Sequence, residues 1–351
     1  MILNLNIEGE VEVMSKKIQY LLFWVAIMLV ACGGNGNETA NEPGGESDTD
    51  AAATPQVIRI PMGYIADPQY APFYVAVEKG YFAEAGIELE FDYSFETDGM
   101  ALVGAGELPF AVVSGEQVIL ARAQELPVVY VLEWFQKFPI AIISKTEANI
   151  TTPEDLRGRS VGLAGFFGAS YVGYVGFLEA NNLTLEDVDT HDIGFTQVDA
   201  LLTDQVEAVV GYANNEPVQL AGRGEDIEVL YVSDYIDMVA NGIITNEKTI
   251  AENPALIQAF VTALLRGLSD TLANPDEAYD ISKKYVEGLD DSRRPVLDAS
   301  LAMWQAPDLG VTDPAAWVQT HEVLLSMGLL DAPVTNLEAA YTNQFVQATQ
   351  P

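Results

Sequence analysis

A single cysteine, Cys32, occurs in the 351 residues of this chain. An intramolecular disulfide is therefore excluded, and the core has to hold the fold by itself. Histidine is almost as scarce, with only His191 and His321, and without a Cys/His cluster a zinc site lacks its usual ligands. Basic residues are few: 16 Lys and Arg face 52 Asp and Glu, a formal net charge of −36 at pH 7. Such a chain repels a phosphate backbone or an anionic lipid surface, which argues against nucleic-acid binding. Charge of this kind is usually solvated surface and is given no catalytic meaning. Also missing are a Walker loop, a Gly-x-Ser-x-Gly elbow, an HExxH pair and a dinucleotide fingerprint after the first strand. His191 falls in the connection Thr190-His191-Asp192 and His321 in a C-terminal helix, and neither reads as a general base. The carboxylates are scattered, so spacing alone nominates no acid/base pair. What is abundant is apolar character, 49% of the residues, enough for one large or two medium domains.

Near the start, Lys16 and Lys17 form a positive n-region and Tyr20 to Val30 an apolar h-region. The run is too short and one-sided to be read first as a spanning helix. Its end, Leu29-Val30-Ala31-Cys32, resembles a bacterial lipobox, which implies a signal peptide over 1–31 and lipidation of Cys32. Glu8, Glu10 and Glu12 do not suit an n-region, so Met14 is an alternative start to Met1. From Cys32 to Gln56 the chain carries five acidic residues, no basic one and almost no large apolar side chain. This stretch, 32–56, reads as a disordered tether.

Order begins at Val57-Ile58-Arg59-Ile60, a β-type run followed by the loop Gly63 to Gln69. A helical stretch, Ala71 to Lys79, stops at Gly80, and Gly86 to Phe91 alternates like a strand. Strand, helix and strand in this order imply a parallel sheet flanked by helices. Further strands are expected at Leu108–Val113, Val128–Trp134 and Ile140–Ser144, with a helix over Glu116–Gln124. Thr152-Pro153-Glu154-Asp155-Leu156-Arg157-Gly158 reads as a short helix with Thr152 as N-cap and Pro153 at its first position. Ser160-Val161-Gly162-Leu163 then opens a second copy of the theme, which continues through a helix ending near Ala180 to the strand Ala208–Tyr212. From Ala251 onward the periodicity is helical, the last helix being Leu337–Ala348.

Open α/β sheets bind ligands at the carboxyl ends of their strands. The loops there, Tyr64–Phe73, Val113–Glu116, Gly165–Tyr171 and Tyr212–Glu216, combine Gly, Ser, Asn and aromatic residues. A phosphate or sulfonate would usually recruit Arg or Lys, and none of these loops contains one. The aromatic side chains suggest stacking or wall packing instead.

Gly63-Tyr64, followed by Pro72-Phe73-Tyr74-Val75-Ala76-Val77-Glu78-Lys79-Gly80-Tyr81-Phe82-Ala83-Glu84-Ala85-Gly86-Ile87-Glu88-Leu89, resembles the opening of the solute-binding proteins of the thiamine-precursor, nitrate and sulfonate group. Thr152 to Arg159, and Asn253-Pro254 through Ala263-Leu264-Leu265-Arg266-Gly267, are similar to later stretches of that family. The resemblance implies a two-lobed α/β fold of the periplasmic-binding-protein type (type II), with two hinge crossings and parallel-rich sheets flanked by helices. Lobe one would comprise 57–144 plus 242–351 and lobe two 145–241, with crossings near Ile143–Glu147 and Ala240–Ile244. It further implies a non-enzymatic, monomeric component of an ABC importer, held by its Cys32 lipid on the extracytoplasmic face of the cell membrane, with permease subunits as partners.

Pyrimidine-precursor binders of this family carry a Trp-x-Pro-Asn segment and a His in the first loop, where this chain has Ile65-Ala66-Asp67-Pro68-Gln69-Tyr70-Ala71-Pro72. The related pyrimidine synthase also needs a cysteine-rich motif, which one cysteine cannot supply. Among the family's solutes the loops fit riboflavin best, as cargo rather than cofactor, and the chain is most like the riboflavin-binding members. Tyr64, Tyr70, Trp134, Phe166 and Tyr171 are the expected stacking or wall residues, and Asp67, Ser114, Asn214, Asn215 and Glu216 the hydrogen-bonding partners. A thiamine pyrimidine precursor, a sulfonate, a secreted enzyme on the same fold and a sensor remain the competing readings.

Overall fold

The structure is a computed structural model and describes residues 55–349. The expected signal peptide 1–31, the expected lipidation site Cys32 and all but the last two residues of the expected tether 32–56 lie outside the described residues. Ten strands follow in chain order: β1 Gln56–Gly63, β2 Ile87–Phe95, β3 Ala111–Ser114, β4 Val128–Glu133, β5 Ile140–Lys145, β6 Ser160–Leu163, β7 Asp189–Asp192, β8 Ala208–Tyr212, β9 Ile227–Tyr231 and β10 Asn241–Asn246. β1 pairs parallel with β2, and β10 pairs antiparallel with both β3 and β4. The pair β2-β1 and the three-stranded sheet β3-β10-β4 are hydrogen-bonded separately, but β1 packs beside β3, so the two form one layer, the first sheet, in the order β2-β1-β3-β10-β4.

The second sheet repeats this plan. Its order is β7-β6-β8-β5-β9, with β6 parallel to β7 and β8, and β5 antiparallel to β8 and β9. In each sheet the fourth strand is the antiparallel one, and each such strand is reached from the other sheet, β5 from β4 and β10 from β9. The chain therefore changes sheets twice, between Glu133 and Ile140 and between Tyr231 and Asn241.

This corrects the expected boundaries. Ile140–Ser144, assigned to the first lobe, belongs to the second sheet, and the crossing expected at Ala240–Ile244 is occupied by β10. A short apolar run such as Ile140-Ala141-Ile142-Ile143 carries no mark of which sheet will pair with it; the partner strands decide.

Local chemistry explains several ends. Thr152 and Asp155 form a capping box on the turn Pro153–Leu156, which is 3-10 helical. Leu337–Ala348, expected to be one helix, is broken into Leu337–Ala340 and Gln344–Gln347. Tertiary bonds account for the break: Thr342 N–H donates to Tyr130 O at 2.9 Å, and the Asn343 amide pairs with the Thr312 backbone at 2.8 and 2.9 Å.

The helix Pro254–Ala273 is apolar and long enough to cross a membrane by length and composition, yet half of it is buried here. It packs against Ala71–Glu78, and a side chain at Gly267 would come within 2.2 Å of Pro72 O, so the close approach demands glycine. Phe260 stacks on Phe110 at 4.1 Å and touches Phe82. Phe260→Ala should cost about 3–5 kcal/mol of stability in equilibrium denaturation, because this fully buried ring leaves a cavity its neighbours cannot fill.

Candidate functional site

The carboxyl ends of β1, β3 and β8 point to one region, and the antiparallel β10 brings its first residue there too. Asn241 lies opposite Ser114 in the β10–β3 register. Glu96, the first residue of the helix Glu96–Gly104 after β2, completes the cluster. Ser114 Oγ sits 2.7 Å from Glu96 Oε2 and 2.6 Å from Glu116 Oε1, and Ser114 N–H donates to Glu96 Oε2 at 3.1 Å. Gln117 Nε2 donates to the same Glu96 oxygen, and Asn241 Nδ2 to Glu96 Oε1 at 2.8 Å.

From the second sheet, Glu216 opens the helix Glu216–Gly222 and accepts Tyr212 N–H at 2.7 Å and Asn215 Nδ2 at 3.3 Å. A side chain at Gly211 would lie 2.4 Å from Glu216 Oε2, so only glycine leaves this carboxylate its place. Asn214 Nδ2 reaches across to Gln69 Oε1 at 3.3 Å and Ser300 Oγ at 2.9 Å. Gln69 follows β1 and Ser300 lies on the helix Arg294–Trp304, so side chains after strands of both sheets meet here. Tyr212 faces Asn241 and the two carboxyl groups of Glu96 and Glu116.

Burial sets the electrostatics. It pushes the carboxyl of Glu116 up to about 8, helped by the neighbouring charge of Glu96. Glu133, at the end of β4 with its Oε1 accepting Ala240 N–H at 3.1 Å, is also raised to about 8 by burial. Glu216 is raised to about 7 for the same reason. Burial raises Asp67 as well, although Arg293 pulls the other way. Three buried acceptor oxygens at these loops have no donor in the structure: Glu116 Oε2, Asn214 Oδ1 and Asn241 Oδ1.

The residues anticipated from sequence divide into four groups. Ser114, Asn214, Asn215 and Glu216 belong to the network just described, and Tyr64 lies beside Asn215, Glu216 and Asp67 with its side chain 42% exposed. Asp67 caps the turn Pro68–Tyr70 and is engaged by Arg293, 226 positions later. Tyr70 and Trp134 are buried packing groups: Tyr70 stacks on Trp134 at 5.3 Å, Trp134 stacks on Trp304 at 6.0 Å, and Tyr70 Oη donates to Met62 O. Phe166 and Tyr171 form an edge-to-face pair of their own at 5.4 Å, with Phe166 exposed.

Sequence reasoning missed Glu96, Glu116, Gln117, Tyr212, Asn241 and Arg293 as site residues. Glu116 and Tyr212 stood in loops already singled out, but Glu96 and Asn241 needed the rule of strand ends applied to β2 and to an antiparallel strand. Arg293 left no signal. The cleft does receive a guanidinium, contrary to the reading of its loops, but Asp67 holds it.

The fold is that of the periplasmic binding proteins. Solved structures that share it include the periplasmic aliphatic sulphonate binding protein SsuA from Escherichia coli, with a TM-score of 0.69 and 15% identity over 83% of this chain and 99% of that one. A second is a putative periplasmic sulfonate-binding protein SsuA from Methylobacillus flagellatus, with a TM-score of 0.66 and 15% identity over 84% and 94%. Within this fold the chain belongs to the NMT1/THI5 like family, whose model matches residues 67–278. It is 41% identical to riboflavin-binding protein RibY of Chloroflexus aurantiacus over 95% of this chain and 98% of that protein. It is 31% identical to the formylaminopyrimidine-binding protein of Halalkalibacterium halodurans over 67% and 71%.

Two outcomes follow from this geometry. Gly211→Ala should displace Glu216 and weaken binding of whatever the cleft holds, with a melting temperature lowered as well. Between about pH 4.5 and 8 the unfolded chain has released protons that folded Glu116, Glu133 and Glu216 retain, so stability falls as pH rises through that window. Thermal melts should show a declining midpoint from about pH 5 to about pH 8; a rise over that interval would contradict the assignment.

Proposed function

We propose that this chain is the extracytoplasmic solute-binding component of an ABC importer, and that it captures riboflavin and passes it to membrane permease subunits. The observation that carries the reading is the cluster at the strand ends: buried carboxyl and amide oxygens from both sheets are left there without donors among the described residues, and the Arg293 guanidinium nearby is engaged by Asp67. Such a site suits an uncharged ligand that brings hydrogen-bond donors, as the ribityl hydroxyls and ring N–H of riboflavin do. A sulfonate or phosphate would meet acceptor oxygens and the charge of Glu96 where it needs cations. The 41% identity to a riboflavin-binding protein, spread over nearly all of both chains, supports the same ligand. Exposed Tyr64 and Phe166, at loops of the first and second sheets, are available to cover a flat ring.

The two passages between sheets, 134–139 and 232–240, would serve as the hinge of two lobes. A ligand touching both lobes only when they are closed would shift the equilibrium toward that form, which the permease then recognises. Lipidation of Cys32 would hold a monomer on the extracytoplasmic face of the cell membrane, raising its effective concentration near the permease.

Flavin fluorescence tests the ligand. Riboflavin should be quenched saturably with a Kd of about 1 μM or tighter, corresponding to about −8 kcal/mol. Flavin mononucleotide should bind at least about tenfold more weakly, a difference of about 1.4 kcal/mol, because its phosphate brings negative charge to a site of acceptor oxygens. No quenching by riboflavin together with a thermal shift from a formylated aminopyrimidine would transfer the assignment to the pyrimidine precursor.

A further inference from the structure

The hydroxyl of Ser114 has one hydrogen but two carboxyl oxygens within hydrogen-bond distance, Glu96 Oε2 at 2.7 Å and Glu116 Oε1 at 2.6 Å. One hydrogen cannot satisfy both. If both carboxyl groups were ionised, a lone pair of Ser114 would face a lone pair of a carboxylate at 2.6 Å, so one of the two must carry a proton.

The surrounding donors decide which. Glu96 Oε2 accepts Ser114 N–H and Gln117 Nε2, and Glu96 Oε1 accepts Asn241 Nδ2. Every partner of Glu96 is a donor, the environment of an ionised carboxylate. The Glu116 carboxyl is fully buried, and Ser114 is the side chain bonded to it. The proton therefore resides on Glu116 Oε1, which donates to Ser114 Oγ, which in turn donates to Glu96. Burial raises both carboxyl groups, but on Glu96 the bonds from Ser114 and Asn241 oppose it, whereas on Glu116 the neighbouring Glu96 charge adds to it.

This bonding order fixes the chemistry of the atoms left over. With its proton on Oε1, Glu116 presents Oε2 as a carbonyl oxygen that can only accept. Asn241 must point Nδ2 at the Glu96 carboxylate, which leaves Oδ1 as an acceptor. Asn214 must point Nδ2 at Ser300 Oγ, whose own hydrogen goes to Val296 O, and its Oδ1 is likewise left as an acceptor. All three side chains are more than nine-tenths buried, and none of these oxygens has a partner among the described residues.

We propose that Glu116, Ser114 and Glu96 form a relay holding one proton between two carboxyl groups, and that it presents Glu116 Oε2, with Asn241 Oδ1 and Asn214 Oδ1, as acceptors that select the ligand by its hydrogen-bond donors. The ligand half rests on the flavin reading above and assigns these acceptors to the ribityl hydroxyls; the relay half stands on the free protein. Glu116 and Asn241 thereby join the specificity-determining residues of the cleft.

The tests separate the halves. In the purified full chain at neutral pH, the infrared difference between wild type and Glu116→Gln should show the C=O stretch of a carboxylic acid; the paired bands of a carboxylate would overturn the relay. E116Q places an amide N–H where the acid proton was and an amide oxygen where Oε2 was, so riboflavin should bind within about threefold of wild type. E116L, which has neither group, should lose at least about tenfold, with melting curves confirming that both variants fold. Equal losses in E116Q and E116L would overturn the proton assignment. Lumiflavin, with a methyl group in place of the ribityl chain, should bind at least about tenfold more weakly than riboflavin, and equal affinity would overturn selection by donors. If neither flavin binds, the ligand half falls with the flavin reading, while the infrared result still decides the relay.

Discussion

Four hydrogen-bond donors converge on the carboxyl group of Glu96: the backbone and hydroxyl of Ser114, the amide of Gln117 and the amide of Asn241. A carboxyl group withdrawn from water must either be surrounded in this way or give up its charge. Glu96 is surrounded, whereas Glu116, 2.6 Å from the same hydroxyl, has far fewer partners. The donors come from the end of β3, the helix that follows it and the start of β10, so the site depends on β10 lying in register beside β3. Asn241 opposite Ser114 is the contact through which the strand pairing and the chemistry constrain each other.

That register results from the way the chain passes between its sheets. Each sheet is built from three strands of its own βα units plus a pair that includes one strand arriving from the other sheet and running backward. An antiparallel strand presents its first residue at the edge where its neighbours present their last. Positions at that edge can thus be supplied from both directions of the chain, which is how Asn241 comes to stand among residues that end strands. The same passages supply the segments that the proposed closure would bend.

Much of the fold was legible because its signals are local. The alternation of strands and helices, the Thr152 cap and the Pro254 helix start depend on neighbours a few residues away. The loops holding Ser114, Asn214, Asn215 and Glu216 could be found because the carboxyl ends of strands are where such sheets bind ligands. Tyr70 and Trp134 show where this reasoning stops. An aromatic side chain at a strand end can face a ligand or pack beneath the surface, and the choice depends on Trp304, which lies 170 positions beyond Trp134 and takes up one of its faces. Arg293 is similar: its engagement of Asp67 spans 226 positions and corresponds to no pattern in either segment. The break in the final helix has the same origin, since bonds to Tyr130 and Thr312 outcompete a helical propensity that is only marginal.

By itself the sequence determined the α/β class, the repeat of the theme, the positions of most elements and the acidic, cysteine-poor chemistry available to them. Those properties follow from periodicity, capping and composition, which act over a few residues. The tertiary structure alone decided which sheet claims β5 and β10, which aromatic rings are buried, and which carboxyl groups share a hydroxyl. Hydrogen-bond donation and desolvation act over about 3 Å of space between residues far apart in the chain, so the character of Glu96 and Glu116 exists only once β2, β3 and β10 have been brought together.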